Sequence, residues 1–478
     1  MDRVDPDELL APHPSAREIL ERLEEAGHQA VVVGGAVRDL LGSRFHEGLS
    51  FRPEEVDIDI ATSAETDEIK KLFQDFDFVE VGESFGVLVL VSQKGDQYEV
   101  AQFRTESGYD GRKPGDVEPA ASLREDVNRR DFTVNGMAME SDGTIIDYVG
   151  GIADLKKKKV RAIGDPFERF REDYLRPLRA IRIACYIDGT IERDTEEAIR
   201  AVAHKITEIS WERIREELFN ILETENAERG MRWLRDQDML KEILPEMAAN
   251  AGVPQPEEYH PEGGVLEHSF RALGVADRFG YSPLTKLAAF IHDVGKAKAF
   301  EKNEGEHLGG HALAGEVLAE QVASRLKLSN EEAKKLTWIV GNHMRGSILQ
   351  KMRKAKQVKL VRTNQDQEQS LNDPTEKFKY FSDLLRTIIA DSQASAHGVE
   401  GWLPVLKGFS SLLPHLKHLE ELGSARELID GNDLLELGME EGPELGEVLQ
   451  DVHERIFSGD IESRQGAIEA AEEIIESR

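Results

Sequence analysis

The run AVVVGGAVRDLL at residues 30–41 and the run VDIDI at 56–60 decide the fold of this 478-residue chain. AVVV reads as a buried strand that enters the glycine pair Gly34 and Gly35, and AVRDLL reads as a helix start. Two glycines at a strand-to-helix turn let backbone N–H groups and the helix dipole meet a triphosphate, and Arg38 would add positive charge. In VDIDI, Asp57 and Asp59 stand two apart on a predicted strand, so both carboxylates project from one face while Val56, Ile58 and Ile60 enter the core. Carboxylates about 6 to 7 Å apart can hold two Mg²⁺ ions roughly 4 Å apart, which clamp both oxygens of an in-line phosphoryl displacement. Taken singly, each feature has a blander reading, a solvated strand edge or plain turn chemistry. Their adjacency gives them weight.

Outward from these runs, residues 15–27 read as a short amphipathic helix, and GVLVLVS (86–92) and YEVAQF (98–103) read as strands between glycine- and charge-rich turns. The chain to about residue 150 is an α/β region. From about 165 apolar residues recur three and four apart, as in YLRPLRAIRIA, and the remainder reads as essentially all-α. A proline-rich break, AGVPQPEEYHPEGG at 251–264, is the clearest boundary, and a second falls near Gly398 to Pro404. No internal repeat is present.

Composition narrows the class. The length implies about three structural units. With 40% hydrophobic and 32% charged residues the chain can bury a core, which excludes intrinsic disorder as its main state. No stretch nears the roughly 18 apolar residues of a membrane span, and the acidic start MDRVDPDELL is unlike a signal peptide, so a soluble, cytoplasmic protein is expected. The single cysteine, Cys185, fits a reducing compartment. Sixty basic against 92 acidic residues, net −32, exclude a protein that coats nucleic acid indiscriminately. A nucleic-acid partner must meet a local basic patch.

Six motifs in order carry a resemblance: VVVGGAVRDLL, VDIDIATSA, EVAQFRTESGYDGRKPGDVEP, RRDFTVNGMAM, DYVGGIADLKKKKVRAIGDPFERFREDYLRPLRAIRIA and ISWERIREEL. Together they resemble the bacterial and eukaryotic class of tRNA nucleotidyltransferases, the CCA-adding enzymes, and their poly(A) polymerase relatives, over about residues 25–245. The resemblance implies an α+β chain: a polymerase-β-like nucleotidyltransferase head with a mixed sheet, then an all-α neck, an HD domain and a tail. The expected divisions are an N-terminal helix (1–28), head (29–150), neck (151–250), HD domain (251–400) and C-terminal tail (401–478).

Carried onto this sequence, Asp57 and Asp59 resemble the catalytic Mg²⁺-binding pair, with Glu99 as a third acidic group on the next core strand. Gly34, Gly35, Arg38, Arg129, Arg130, Asp131 and Asn135 resemble the triphosphate- and ribose-binding set. Asp173 and Arg176 resemble the pair that reads the incoming base, and Arg179 belongs with them to the nucleotide-binding set. Asp173 and Arg176, three apart, are expected on one helix face. An Asp acceptor beside an Arg donor pairs with cytosine or adenine, which share an amino group next to a ring nitrogen, and leaves uracil or guanine unpaired at about 1 to 3 kcal/mol per group. The bland reading is an i, i+3 salt bridge worth about 0.2 to 0.5 kcal/mol. Three features depart from the family pattern: about ten extra residues, including FHEGLSFRP, precede Asp57; Tyr174 stands where proline is common; and Pro177 falls inside the expected helix. It would kink that helix unless it lies in its first turn.

The flexible segment RTESGYDGRKPGDVEP (104–119) is present in full, whereas relatives that stop after two cytidines have it cut short. The GRRF-like stretch of bacterial poly(A) polymerases is replaced by VGESFGVLVLV. Full CCA addition from CTP and ATP is therefore preferred over A-only addition or polyadenylation, and a non-enzymatic RNA-binding protein is disfavoured.

After the proline break, His268, His292, Asp293 and Asp391 resemble the H…HD…D signature of metal-dependent phosphohydrolases, although a lone buried histidine is usually a satisfied core residue. Mixed imidazole and carboxylate ligands suit a divalent transition metal or Mg²⁺. His311 and His343 could supply a second metal, and Lys296 is near enough to hold a phosphate. A purely structural role for this module is the alternative. For the RNA, Leu155 to Arg182 holds ten basic and four acidic residues, and Arg345 to Arg362 seven basic and none acidic. Both can meet the phosphates of a tRNA acceptor arm by shape. Lys156 to Lys159 also reads as a solvated loop.

Overall fold

A computed structural model describes residues 3–81, 86–112, 114–365, 373–422 and 425–477. The chain forms two compact units, Met1–Pro245 and Glu246–Arg478. No helix among the described residues is long and apolar enough to cross a membrane.

The first unit is built on a seven-stranded mixed sheet. Its strands are β1 (Ala30–Val33), β2 (Asp59–Thr62), β3 (Asp77–Val81), β4 (Val87–Val91), β5 (Gln97–Gln102), β8 (Met137–Met139) and β9 (Ile145–Asp147). A separate hairpin, β6 (Arg104–Ser107) and β7 (Asp116–Pro119), lies between β5 and β8 in sequence. The order across the sheet is β3-β4-β5-β2-β1-β8-β9, with β2 and β5 parallel. Every residue of β1 is buried, as its unbroken valine run demands, and Val31 and Val33 pack with Ala61, Phe103 and Ala138. Gly34 has φ +79, a left-handed conformation that favours glycine, and turns β1 directly into the helix Gly35–Phe45.

Three expectations are corrected. The second strand begins at Asp59, because a 3-10 turn at Pro53–Glu55 precedes an irregular Val56–Ile58. Asp57 therefore sits just ahead of the strand, not on it. The segment 104–119 is a two-stranded ribbon over much of its length, because Arg104 to Ser107 pair with Pro119 back to Asp116. The part of VGESFGVLVLV at 82–85 lies outside the described residues. Beyond 165 the described chain is helical as expected, with one short exception: β11 (Thr190–Ile191) pairs in parallel with β10 (Lys159–Val160), anchoring the neck's first turns. Finally, 398–404 is no break. Gly398 opens the long helix Gly398–Glu421 and Pro404 lies within it, its cost offset by burial of Val405, Phe409 and Leu412.

The second unit is helical. Helices Val265–Arg278, Pro283–Ile291, His311–Arg325, Asn330–Ser347 and Lys379–Ala394 surround its core. Asn330–Ser347 is fixed at its start by a capping box from Ser329 and Glu332, two orphan N–H groups satisfied reciprocally.

Candidate functional site

A cavity of about 1090 Å³ opens in the first unit. It brings together twelve residues singled out from sequence, Gly34, Gly35, Arg38, Asp57, Asp59, Arg129, Arg130, Asp131, Asn135, Asp173, Arg176 and Arg179, whereas Glu99 is not among its lining residues. Residues from 34 to 179 reach one hollow because β1, β2 and the helix after the glycine turn share an end of the sheet.

Asp59 faces Glu99 across the parallel β2–β5 register. Burial, reinforced by Glu99 and Asp57 and opposed by Arg130, pushes the Asp59 carboxyl up to about 6. Acidic groups crowded in this way call for a cation, and the donor set fits Mg²⁺. Asp59 Oδ2 and Arg130 Nη1 both face the glycine turn, each 3.8 Å from where a Cβ on Gly34 would stand.

The arginines are held in place by carboxylates. Arg129 and Arg130 donate to Asp126 at 2.8 and 3.0 Å, and Asp126 is 1% exposed. Burial would raise the Asp126 carboxyl, but Arg130 and Arg129 outweigh it and hold it below the usual range. Arg129 also reaches Glu106 at 2.8 Å, which ties the 104–119 ribbon to the cavity wall. Arg38 donates to Asn135 Oδ1 at 2.9 Å and to Asp39 at 2.7 Å, and its guanidinium lies 4.9 Å from the Tyr186 ring centre. Asp131 accepts from Arg179 at 2.7 Å and from the Asn135 amide at 3.1 Å. Burial alone would raise Asp131, yet Arg179 and Asn135 hold it well below the carboxylate range.

Asp173 and Arg176 do not share a helix. One helix, Pro166–Glu172, ends just before Asp173, whose backbone is extended (φ −146, ψ 111), and the next begins at Arg176 with Pro177 in its first turn. Pro177 therefore starts a helix and kinks none. Nor do the two side chains pair with each other. Asp173 Oδ2 pairs with Arg213 Nη2 at 2.9 Å, and Arg176 pairs with Glu172. The acceptor–donor pair that the structure forms is Asp173 with Arg213. The ribbon docks on this pair: Gly111 O accepts from Tyr174 N at 2.8 Å, and Arg112 O accepts from Arg213 Nη1 at 3.3 Å.

Sequence reasoning missed Asp126, Arg182, Tyr186, Arg213 and Glu217. Glu217 is buried and bridges Arg182 at 2.7 Å and Arg179 at 3.5 Å. The motif ISWERIREEL held the signal, since Arg213 and Glu217 stand four apart on the helix Trp211–Glu223.

In the second unit the HD-type residues converge as well. His268 Nε2 lies 3.0 Å from Asp391 Oδ1, His292 Nε2 3.1 Å from Asp293 Oδ2, and His311 Nε2 3.3 Å from Asp293 Oδ1. His343 Nε2 lies 3.6 Å from that same oxygen and 3.2 Å from His311 Nε2. Each of the four rings spends Nδ1 on an outward partner: Glu262 for His268, and the carbonyls of Ala289, Leu308 and Val340 for the others. That leaves four inward Nε2 atoms, and buried His292 Nε2 has no aligned hydrogen bond despite its short contact. The arrangement fits divalent cations held by imidazole and carboxylate, with outer partners fixing the tautomers. His268, His292 and Asp391 form one candidate cation group, and Asp293, His311 and His343 another. Lys296 Nζ stands 2.5 Å from Asp293 Oδ2. Burial would lower His268, but Asp391 and Glu262 outweigh it and lift it to about 9.

A mixed-sheet head with carboxylates at a glycine turn is joined in sequence to a helical His/Asp module. The poly A polymerase head domain matches residues 30–161, the probable RNA- and SrmB-binding site of polymerase A matches 189–250, and the HD domain matches 265–373. A CCA-adding enzyme of Levilactobacillus brevis is 44% identical over 218 residues, covering 45% of this chain and 52% of the relative. One of Ligilactobacillus salivarius is 42% identical over 238 residues, covering 49% and 55%. The match thus spans about half the length of these curated relatives. In fold, the crystal structure of Bacillus stearothermophilus CCA-adding enzyme in complex with CTP superposes with TM-score 0.67 at 24% identity, covering 98% of both chains. Thermotoga maritima CCA-adding enzyme complexed with tRNA gives 0.60 at 22%, covering 99% of this chain and all of that one.

Proposed function

We propose that this protein adds CCA to tRNA 3′ ends from CTP and ATP without a nucleic-acid template. The single observation that carries the reading is the convergence of the glycine turn, Asp57, Asp59, the arginine set and Asp173 on one cavity. Mg²⁺ held by Asp57 and Asp59 would supply charge neutralisation at the transferred phosphoryl group. Gly34, Gly35 and Arg130 receive the triphosphate, and Arg38, tied to Asn135, adds positive charge beside it. Asp131, fixed by Arg179, accepts a hydrogen bond from the ribose 2′-hydroxyl. Asp173, held by Arg213, accepts the amino hydrogen shared by cytosine and adenine, and Arg176 donates to the adjacent ring nitrogen from the same cavity wall, with Arg179 beside it. The arginine-rich neck and Arg345 to Arg362 engage the acceptor arm through its phosphates.

The domain plan that accompanies this reading keeps the N-terminal helix, head and neck divisions stated above and starts the HD domain at 251, with no division at 400/401, which falls inside the helix Gly398–Glu421. The HD module is a phosphoester hydrolase centred on His268, His292, Asp293 and Asp391, with a divalent transition metal or Mg²⁺. Addition of A alone, or of a poly(A) tail, is the competing reading for the head. Labelled CTP and ATP offered to a tRNA lacking its CCA decide between them: two cytidines and one adenosine support the proposal, and ATP incorporation alone contradicts it.

A further inference from the structure

The stretch between the helix after the glycine turn and Asp57 forms an arm at residues 46–55 along one wall of the head cavity. The arm is pinned at both ends. His46 Nε2 lies 2.9 Å from Leu155 O, and His13 Nε2 lies 2.6 Å from Pro53 O. Leu49 packs so closely on Gly42 that an added Cβ there would come within 3.2 Å of it. Between the pins Ser50 and Arg52 line the cavity, and the 3-10 turn at Pro53–Glu55 leads straight to Asp57.

Arg52 differs from the cavity's other arginines. Arg130 and Arg179 are bound to Asp126 and Asp131, carboxylates 1% and 9% exposed at the side chain, which would be left buried and unpaired if the arginine turned away. Arg52 pairs at 3.1 Å with Glu55, and the two side chains are 66% and 62% exposed. Such a pair exchanges readily for a better anion. The guanidinium fork matches two phosphate oxygens, and an arm fixed at both ends holds Arg52 near the reacting centre without reordering backbone.

We propose that the arm is a phosphate-binding element of the substrate cleft, in which Arg52 releases Glu55 and takes a phosphate of the nucleoside triphosphate or of the RNA strand, with the Ser50 hydroxyl beside it. This rests on the nucleotidyl-transfer reading. The test compares wild type, Arg52→Ala and Arg52→Lys for KM and kcat toward CTP and toward a tRNA lacking its CCA, and for equilibrium binding of each. Arg52→Ala is expected to raise one KM about tenfold, the loss of one charge-assisted pair, with kcat held within threefold and part of the loss recovered by Lys. A rise for CTP assigns the triphosphate. A rise for tRNA, with a shallower dependence of binding on salt, assigns the strand. Both KM and both binding constants within twofold of wild type overturn the proposal and make Arg52 a solvated wall. A wild-type protein that incorporates no nucleotide overturns the underlying reading instead, and the binding arm still judges Arg52.

Discussion

Asp59→Asn should make the metal-free protein more stable at pH 8. In the folded state burial, Glu99 and Asp57 lift the Asp59 carboxyl from 3.8 to about 6. A folded-state value above the unfolded one means that the native state holds the extra proton between these values, so stability falls as pH rises through that window. The penalty is absent below about pH 4 and complete above about pH 7. Two units at 1.36 kcal/mol each give about 3 kcal/mol as a ceiling, and partial solvent access to the cavity reduces this to about 1 to 2 kcal/mol. For a unit of this size that corresponds to roughly 2 to 8 °C in melting temperature. The assay is thermal unfolding in EDTA and in excess Mg²⁺ at pH 4.5 and pH 8. In EDTA the variant should melt higher than wild type at pH 8 and nearly level with it at pH 4.5. Mg²⁺ should raise the wild-type melting temperature at pH 8 and leave the variant unmoved. A variant that melts at or below wild type in EDTA at pH 8, or that responds fully to Mg²⁺, refutes the idea that Asp59 is a strained cation ligand.

The remaining expectations concern the other contacts. Asp173→Ala should cut the preference for C and A over U and G by about 1 to 3 kcal/mol, roughly 5- to 150-fold, in single-turnover incorporation of the four nucleotides; unchanged selectivity would reduce the Asp173–Arg213 pair to a structural salt bridge. Gly111→Ala places a Cβ 2.2 Å from the Tyr174 ring at φ +87, so it should displace the ribbon and lower adenosine incorporation more than cytidine incorporation, and equal rates for both would show that the ribbon contact is idle. His292→Ala with Asp293→Ala should abolish metal-dependent hydrolysis of 2′,3′-cyclic AMP and leave CCA addition within about twofold, whereas parallel loss of both activities would make the HD module part of the tRNA-holding body.

Much of this was legible in the chain itself. The valine run of β1 and the paired glycines can form little else, and twelve head and neck residues drawn from motifs lie around one cavity. The signals that failed were local ones overruled by neighbours. VDIDI alternates like a strand throughout, yet the pinned arm and its turn at Pro53–Glu55 delay pairing until Asp59. Asp173 and Arg176 have helical spacing, but Pro177 lacks an N–H and suits a first turn, so a new helix starts at Arg176. That restart frees Asp173 for Arg213, forty residues on, a pairing no local pattern announces. Asp126 and Glu217 escaped notice for a related reason. They are anchors for arginines, and a buried anchoring carboxylate carries no motif of its own.

The central claim is tested most directly by counting the nucleotides added to a tRNA that ends before its CCA, with CTP and ATP both present and the product sequenced. The geometry around Asp57, Asp59 and Asp173 predicts two cytidines, then one adenosine, then arrest, with addition lost in Asp57→Ala and Asp59→Ala. A run of adenosines, a single adenosine without cytidines, or addition that survives both substitutions would contradict it.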